Sequence, residues 1–207
     1  MITNIDQLDI SKTYTYKDYY SWRFEDRVEL IHGKIHRLPT GNPTRHQEVL
    51  GKLGFHLYEY AKQKNYDLFH MPLDVRLPFH PNLKADDEID TVVQPDLFMV
   101  CDVSKMEERG CLGAPDWIVE VLSYGSATKD LNEKFFAYEK AGVKAYWVIH
   151  PYEGTVLVYI ADNAGKFQLM RQRPFTENEK ITMPFFPDLE INLSVVFDGG
   201  DFWHRKH

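Results

Sequence analysis

The apolar positions along the chain change period several times, and each change predicts an element. The run Val28-Glu29-Leu30-Ile31-His32-Gly33-Lys34-Ile35 predicts two short strands about a tight turn, with Gly33 supplying the positive φ of a primed hairpin turn. Asn42-Pro43 is a cap and first-turn pair. Val49, Leu50, Leu53, Leu57, Tyr60 and Ala61 then recur at helical spacing, so a helix is expected over about 43–64. Met71, Leu73, Val75 and Leu77 alternate as in a strand with one buried face, which Pro78 and Pro81 end. Residues 82–90 carry Asp86, Asp87, Glu88 and Asp90 with no hydrophobic period, as in a solvated acidic loop.

Residues 91–100 and 116–122 are almost continuously apolar, which predicts strands covered on both faces. Past Ser123-Tyr124-Gly125-Ser126, an apolar stripe of Leu131, Phe135 and Tyr138 marks a helix that Gly142 stops. Residues 145–150 read as a buried strand, with 155–160 as its neighbour across a Glu153-Gly154 turn. Tyr16, Tyr19, Tyr20 and Trp22 form a short helix or packed arm before the hairpin. Residues 167–197 read as edge strands and a final apolar segment, interrupted by Pro184 and Pro187. The order of helix, three strands, helix and strand indicates an α/β (α+β) chain. Its expected form is a central mixed β-sheet flanked by helices, with an N-terminal hairpin and additional C-terminal strands.

Composition bounds this picture. At 207 residues, 43% hydrophobic and 14% aromatic, the chain can bury one sizeable core, and a single domain over 1–207 is expected. Cys101 and Cys111 show no disulfide framework, which suits a reducing compartment and inert thiols. The N-terminus lacks a basic start followed by an apolar run, and no stretch of about eighteen apolar residues occurs, so a cytoplasmic protein away from membranes is expected. The formal charge of -7 argues against coating nucleic acid through bulk electrostatics. Local contact remains compatible with it, because carboxylates gathered around a cation add negative charge themselves.

Two of those carboxylates lie inside apolar strands. Alternation puts Val92, Gln94, Asp96, Phe98 and Val100 on one face, and Asp116, Ile118, Glu120 and Leu122 on one face of the next strand. An ionised carboxylate in an apolar sheet needs a cation, strong donors or a raised pKa. A single such acid is well explained by a salt bridge or by backbone amides. A pair on consecutive strands is equally explained by a divalent ion between them, and hard oxygen ligands favour magnesium or manganese.

Gln94-Pro95-Asp96 followed by Glu120-Val121-Leu122 resembles the signature of the PD-(D/E)XK nuclease superfamily. More closely, the chain is similar to the Uma-type family of putative restriction endonucleases. The similar stretches are the hairpin run above, Val93-Gln94-Pro95-Asp96-Leu97, the run from Ala114 to Ser123, and the run from Lys140 to Ile149. The resemblance implies a restriction-endonuclease-like core and metal-dependent hydrolysis of phosphodiester bonds in DNA. Asp96 and Glu120 are then the metal ligands, and a homodimer follows by analogy with nucleases that cut both strands.

The superfamily's strand lysine is missing, because Leu122 occupies its position. Relatives carry that lysine on the following helix, where Lys134 falls about 40° from Tyr138 on the border of the stripe and can reach toward Glu120. The alternative lays its stem along the stripe with its head in water. Lys129 sits before the stripe and is the poorer substitute. Glu29 either completes the metal shell or is an exposed strand acid. His46 either contacts phosphate or orients water near a helix start, or is a capped, partly buried histidine. Asp74 faces the site or solvent, and Asp116 suits a capping role. Lys34, Arg37, Arg45 and the His204-Arg205-Lys206-His207 tail could touch phosphate or be ordinary surface cations. Leu122 also admits a rival: a nuclease-like scaffold without activity that binds nucleic acid or protein.

Overall fold

The computed structural model describes residues 2–41, 43–80, 82–123 and 130–198. The aromatic run near the N-terminus folds as α1 (Tyr16–Ser21), capped reciprocally by Thr15 and Asp18. β1 (Val28–Ile31) and β2 (Lys34–Arg37) pair antiparallel about His32 and Gly33, whose φ angles of 51° and 72° make the primed turn. A side chain at Gly33 would also collide with Thr13, 2.8 Å from the Cβ position. α2 (Thr44–Lys64) buries the predicted stripe and ends at Asn65 in the left-handed conformation.

The chain then alternates between two sheets. In order come β3 (Asp67–His70), β4 (Val75–Arg76), β5 (Val92–Val93), β6 (Leu97–Val100), β7 (Met106–Glu107), β8 (Gly110–Leu112) and β9 (Trp117–Val121). A π-helical turn, Asp130–Lys134, leads into α3 (Phe135–Ala141), which stops at Gly142 with φ 91°. β10 (Ala145–His150), β11 (Thr155–Ala161), β12 (Phe167–Leu169) and β13 (Phe175–Thr176) follow. The hairpin of β14 (Lys180–Met183) and β15 (Phe186–Asn192) and the short α4 (Leu193–Phe197) complete the described chain.

One sheet has the order β2-β1-β5-β4-β8-β7 and the other β12-β11-β10-β9-β6-β3, with β13 also on β11. In the second, β3, β6 and β9 pair antiparallel, and β10 lies parallel to β9 after the intervening helix. That is the expected order of helix, three strands, helix and strand.

Two expected strands are in fact divided. The alternation over 71–77 is not one strand: β3 ends at His70, and after Met71-Pro72 the chain joins the first sheet as β4. Likewise 91–100 is two strands, β5 in the first sheet and β6 in the second, separated at Gln94-Pro95-Asp96. Proline lacks the N–H that would continue a ladder, and it marks both crossings. The common face expected for Val92, Gln94, Asp96, Phe98 and Val100 therefore breaks: Val92 packs beside Tyr16 and Trp22, whereas Phe98 and Val100 pack with Ile118 and Tyr138. Pro187 does not interrupt the tail but lies within β15. The expectations at Asn42, Pro81, Tyr124, Gly125, Ser126, Lys129 and residues 204–207 lie outside the described residues.

Leu97, Met99, Trp117, Val119, Val121, Trp147 and Ile149 face α2, α4 and the β14–β15 hairpin. The opposite face of that sheet packs on α3 and on Ile31, Val75 and Val93 of the first sheet. No described helix is long and apolar enough to cross a membrane.

Candidate functional site

The carboxylates collect where the two sheets meet, and the first of them comes from the hairpin. Glu29 on β1 is completely buried, so it is not an exposed strand acid. Its Oε1 accepts the backbone N–H of Gln94 at 2.8 Å and lies 2.9 Å from Lys134 Nζ. Lys134, the last residue of the π-turn, also donates to Glu120 Oε1 at 2.7 Å. The same oxygen accepts the hydroxyl of Tyr138, one turn further along, at 2.7 Å. Glu29, His46, Asp96, Glu120 and Lys134 are all buried, none more than 5% exposed. The alternative of a lysine with its head in water does not hold.

Asp96 stands one step beyond the last β6–β9 partners, Leu97 and Val119, and Glu120 stands one step beyond them on the other strand. Asp96 Oδ2 accepts the Val121 N–H at 2.7 Å and lies 3.2 Å from His46 Nε2. His46 sits in the first turn of α2, and its Nδ1 is buried without a partner. The two acids thus have different companions, a lysine and tyrosine for Glu120 and a histidine for Asp96.

Burial pushes the Tyr138 hydroxyl well above its ordinary pKa, and the charge of Glu120 adds to that, so it remains a neutral donor at pH 7. Asp74 faces neither the lysine nor open solvent. It is partly buried, accepts the Tyr19 hydroxyl at 2.9 Å and the Gln94 side-chain amide at 3.0 Å, and burial raises its pKa. Asp116 holds the start of β9, accepting the Cys101 N–H at 2.8 Å and pairing with Lys144 at 2.7 Å. Cys101 and Cys111 are free thiols, and burial pushes both up to about 12. Leu122 packs in the apolar cluster beside Tyr138.

The surface cations serve local structure. Lys34 donates to the Ser11 carbonyl, Arg37 pairs with Asp6, and Arg45 bonds Glu48 and the Phe197 carbonyl. Sequence reasoning missed Tyr138 as a donor and Gln94 as a link to Glu29. Position i+4 from Lys134 was the available signal for the first, and the second comes from a backbone amide that no side-chain pattern reveals. It also missed His36, the cross-strand partner of Glu29, which lies 3.1 Å from Glu133.

Among the described residues, no three His, Cys, Asp or Glu side chains form a ready-made ion cage. The donor chemistry still fits a hard divalent cation, because magnesium is ordinarily held by one or two carboxylates, with water and substrate phosphate completing its shell. Among the described residues, three buried carboxylates, Glu29, Asp96 and Glu120, gather around the ammonium of Lys134 and the imidazole of His46, a donor set suited to a divalent ion. Among the described residues, the contacts to the Asp96 carboxylate fall on Oδ2, leaving ligand capacity on Oδ1.

A family model, Uma2, described as "putative restriction endonuclease", matches residues 16–194. The crystal structure of "a putative nuclease belonging to DUF820" from Anabaena variabilis has a similar fold, with a TM-score of 0.68 and 22% identity. The match covers 89% of this chain and 98% of that one. No curated protein matches the chain significantly.

Proposed function

Because this chain belongs to the Uma2 family of putative restriction endonucleases, we propose that it is a metal-dependent endonuclease that hydrolyses phosphodiester bonds in DNA. The observation that carries this reading is the buried ammonium of Lys134, held by Glu29 and Glu120 although the strand position two after Glu120 is Leu122. A buried lysine on Glu120 supports the reading that Lys134 supplies the charge missing at Leu122, which weakens the chief argument for an inactive scaffold.

Asp96 and Glu120 would hold magnesium or manganese. When bound, such an ion supplies positive charge to a phosphate and lowers the pKa of water. Lys134 stabilises the negative charge that develops on the phosphate oxygens, and a buried, preorganised ammonium does so with little reorganisation. Glu29 and Tyr138 are positioning residues: the first fixes the lysine head, and the second fixes the Glu120 carboxylate that it shares with the lysine. His46 holds Asp96 through Nε2, and its second ring nitrogen is the candidate to orient the attacking water.

The test is cleavage of supercoiled and branched DNA with magnesium or manganese by wild type, Asp96→Ala and Glu120→Ala. Metal-dependent cleavage confined to wild type supports the reading. Equal cleavage by all three would mean that the activity belongs elsewhere. Calorimetric titration of magnesium separates a nuclease from an inactive scaffold, since loss of binding in Asp96→Asn is required only of the former.

A further inference from the structure

A second feature, tied to Glu29 through the Gln94 backbone, is one that hydrolysis does not use. A cleft of about 440 Å³ opens between α1 and the start of β1, with Tyr19, Tyr20, Trp22 and Phe24 among its walls. Trp22 and Phe24 stack with ring centroids 5.2 Å apart, and Tyr14 braces Trp22 edge-on at 5.3 Å. Trp22 is buried, whereas Tyr20 is half exposed.

The polar groups in the cleft are of few kinds. Two guanidinium groups, Arg23 and Arg27, outnumber the one carboxylate, Asp26, so the local charge is positive on a chain of net charge -7. Gln94 also lines the cleft and is 9% exposed, yet its amide oxygen has no donor. Its amide nitrogen is committed to Asp74 at 3.0 Å and Tyr19 at 3.3 Å, which fixes the carbonyl. A buried acceptor without a donor is costly, and one at a binding site awaits an N–H from its ligand.

The cleft is linked to the candidate site through the backbone of two of its lining residues. Val28 in its wall precedes Glu29, and the backbone N–H of Gln94 is the one bonded to Glu29 Oε1. We propose that this cleft receives an unstacked nucleobase of the DNA, from a single strand or a flipped nucleotide, next to the bond to be cut. This rests on the nuclease reading for the identity of the ligand. Aromatic faces stack on bases, arginines meet the flanking phosphates, and the Gln94 oxygen accepts from an N–H on the base edge. Bases stacked within a duplex hide their faces, so only an extruded or single-stranded base fits.

The test uses the full chain without divalent metal, so that nothing is cleaved. Fluorescence anisotropy compares a short single-stranded DNA, the same strand with abasic residues, and the duplex, for wild type, Tyr20→Ala and Tyr20→Phe. Tyr20 is half exposed, so its loss leaves the core intact. Wild type should bind the base-bearing strand about tenfold more tightly than the abasic one. Tyr20→Ala should lose about that factor on the base-bearing strand alone, and Tyr20→Phe should retain it.

Equal binding of abasic and base-bearing strands, no binding of single strands, or full affinity in Tyr20→Ala would each overturn the proposal. Plasmid cleavage with magnesium reads the nuclease separately. Cleavage with base-independent binding removes the cleft and keeps the nuclease, and the reverse pattern removes the nuclease and keeps the cleft.

Discussion

Lys134 and Tyr138, one helical turn apart, donate to the same oxygen of Glu120, each at 2.7 Å. One carboxylate oxygen thereby gathers a cation and a neutral donor, and the lysine extends the group to Glu29. Removing different members should give different signatures.

Lys134→Met leaves two buried carboxylates without their ammonium and should lower stability by about 3–5 kcal/mol. It should also slow DNA cleavage by about 10²-fold or more. Adding Glu29→Gln and Glu120→Gln should restore much of the stability and none of the activity. Urea unfolding together with a cleavage assay separates the two effects, and a triple variant no more stable than Lys134→Met would contradict the charge argument.

Tyr138→Phe removes one charge-assisted hydrogen bond while Lys134 stays on Glu120, so a loss of about 1.5–3 kcal/mol is expected. Because burial keeps the hydroxyl neutral, cleavage by wild type should show no ionisation attributable to Tyr138 below pH 10. A pH–rate profile that loses a limb in the phenylalanine variant would assign the tyrosine a proton-transfer role instead.

Asp116 gives an acid dependence tied to its ion pair with Lys144. Burial works to raise its pKa, but the Lys144 side chain and the Cys101 amide together bring it below the ordinary value. A folded pKa below the unfolded one contributes stability that is full above about pH 4 and disappears as pH falls through the folded value. Asp116→Ala should therefore cost about 2 kcal/mol at pH 7, and the gap from wild type should narrow as pH falls below the ordinary carboxylate range. Denaturation at a series of pH values checks this, and a gap independent of pH would refute it.

Gly110 joins the β7–β8 turn to the segment holding Asp74. Its φ is 101°, and a Cβ there would lie 2.2 Å from the Asp74 carbonyl oxygen, a backbone atom with little room to yield. Gly110→Ala should lower stability by about 3 kcal/mol. Displacing Asp74 also disturbs its bonds to Tyr19 and Gln94, so the intrinsic fluorescence of Trp22 and its aromatic neighbours should shift. Unchanged melting and fluorescence would show that the turn adapts freely.

Glu120 and Lys134 were legible because both rest on local rules. An acid inside an apolar strand demands a partner, and helical geometry puts Lys134 on the border of the stripe beside Tyr138. The same kind of rule failed for 71–77 and 91–100. Alternation records which residues are covered, and Val92, Val93, Leu97 and Phe98 are all covered whether the chain stays in one sheet or crosses to another. Pro72 and Pro95 mark the crossings, but a proline alone does not say which sheet comes next. The pairing of His46 with Asp96 and of Gln94 with Glu29 spans 50 and 65 residues, so it depended on topology.

The crossing at Pro95 has a mechanical side. Glu29 belongs to one sheet and Glu120 to the other, and Lys134 touches both. Any slip of the sheets past each other is read at a single nitrogen as one short and one stretched contact. The lysine is in this sense a gauge of alignment between the two sheets.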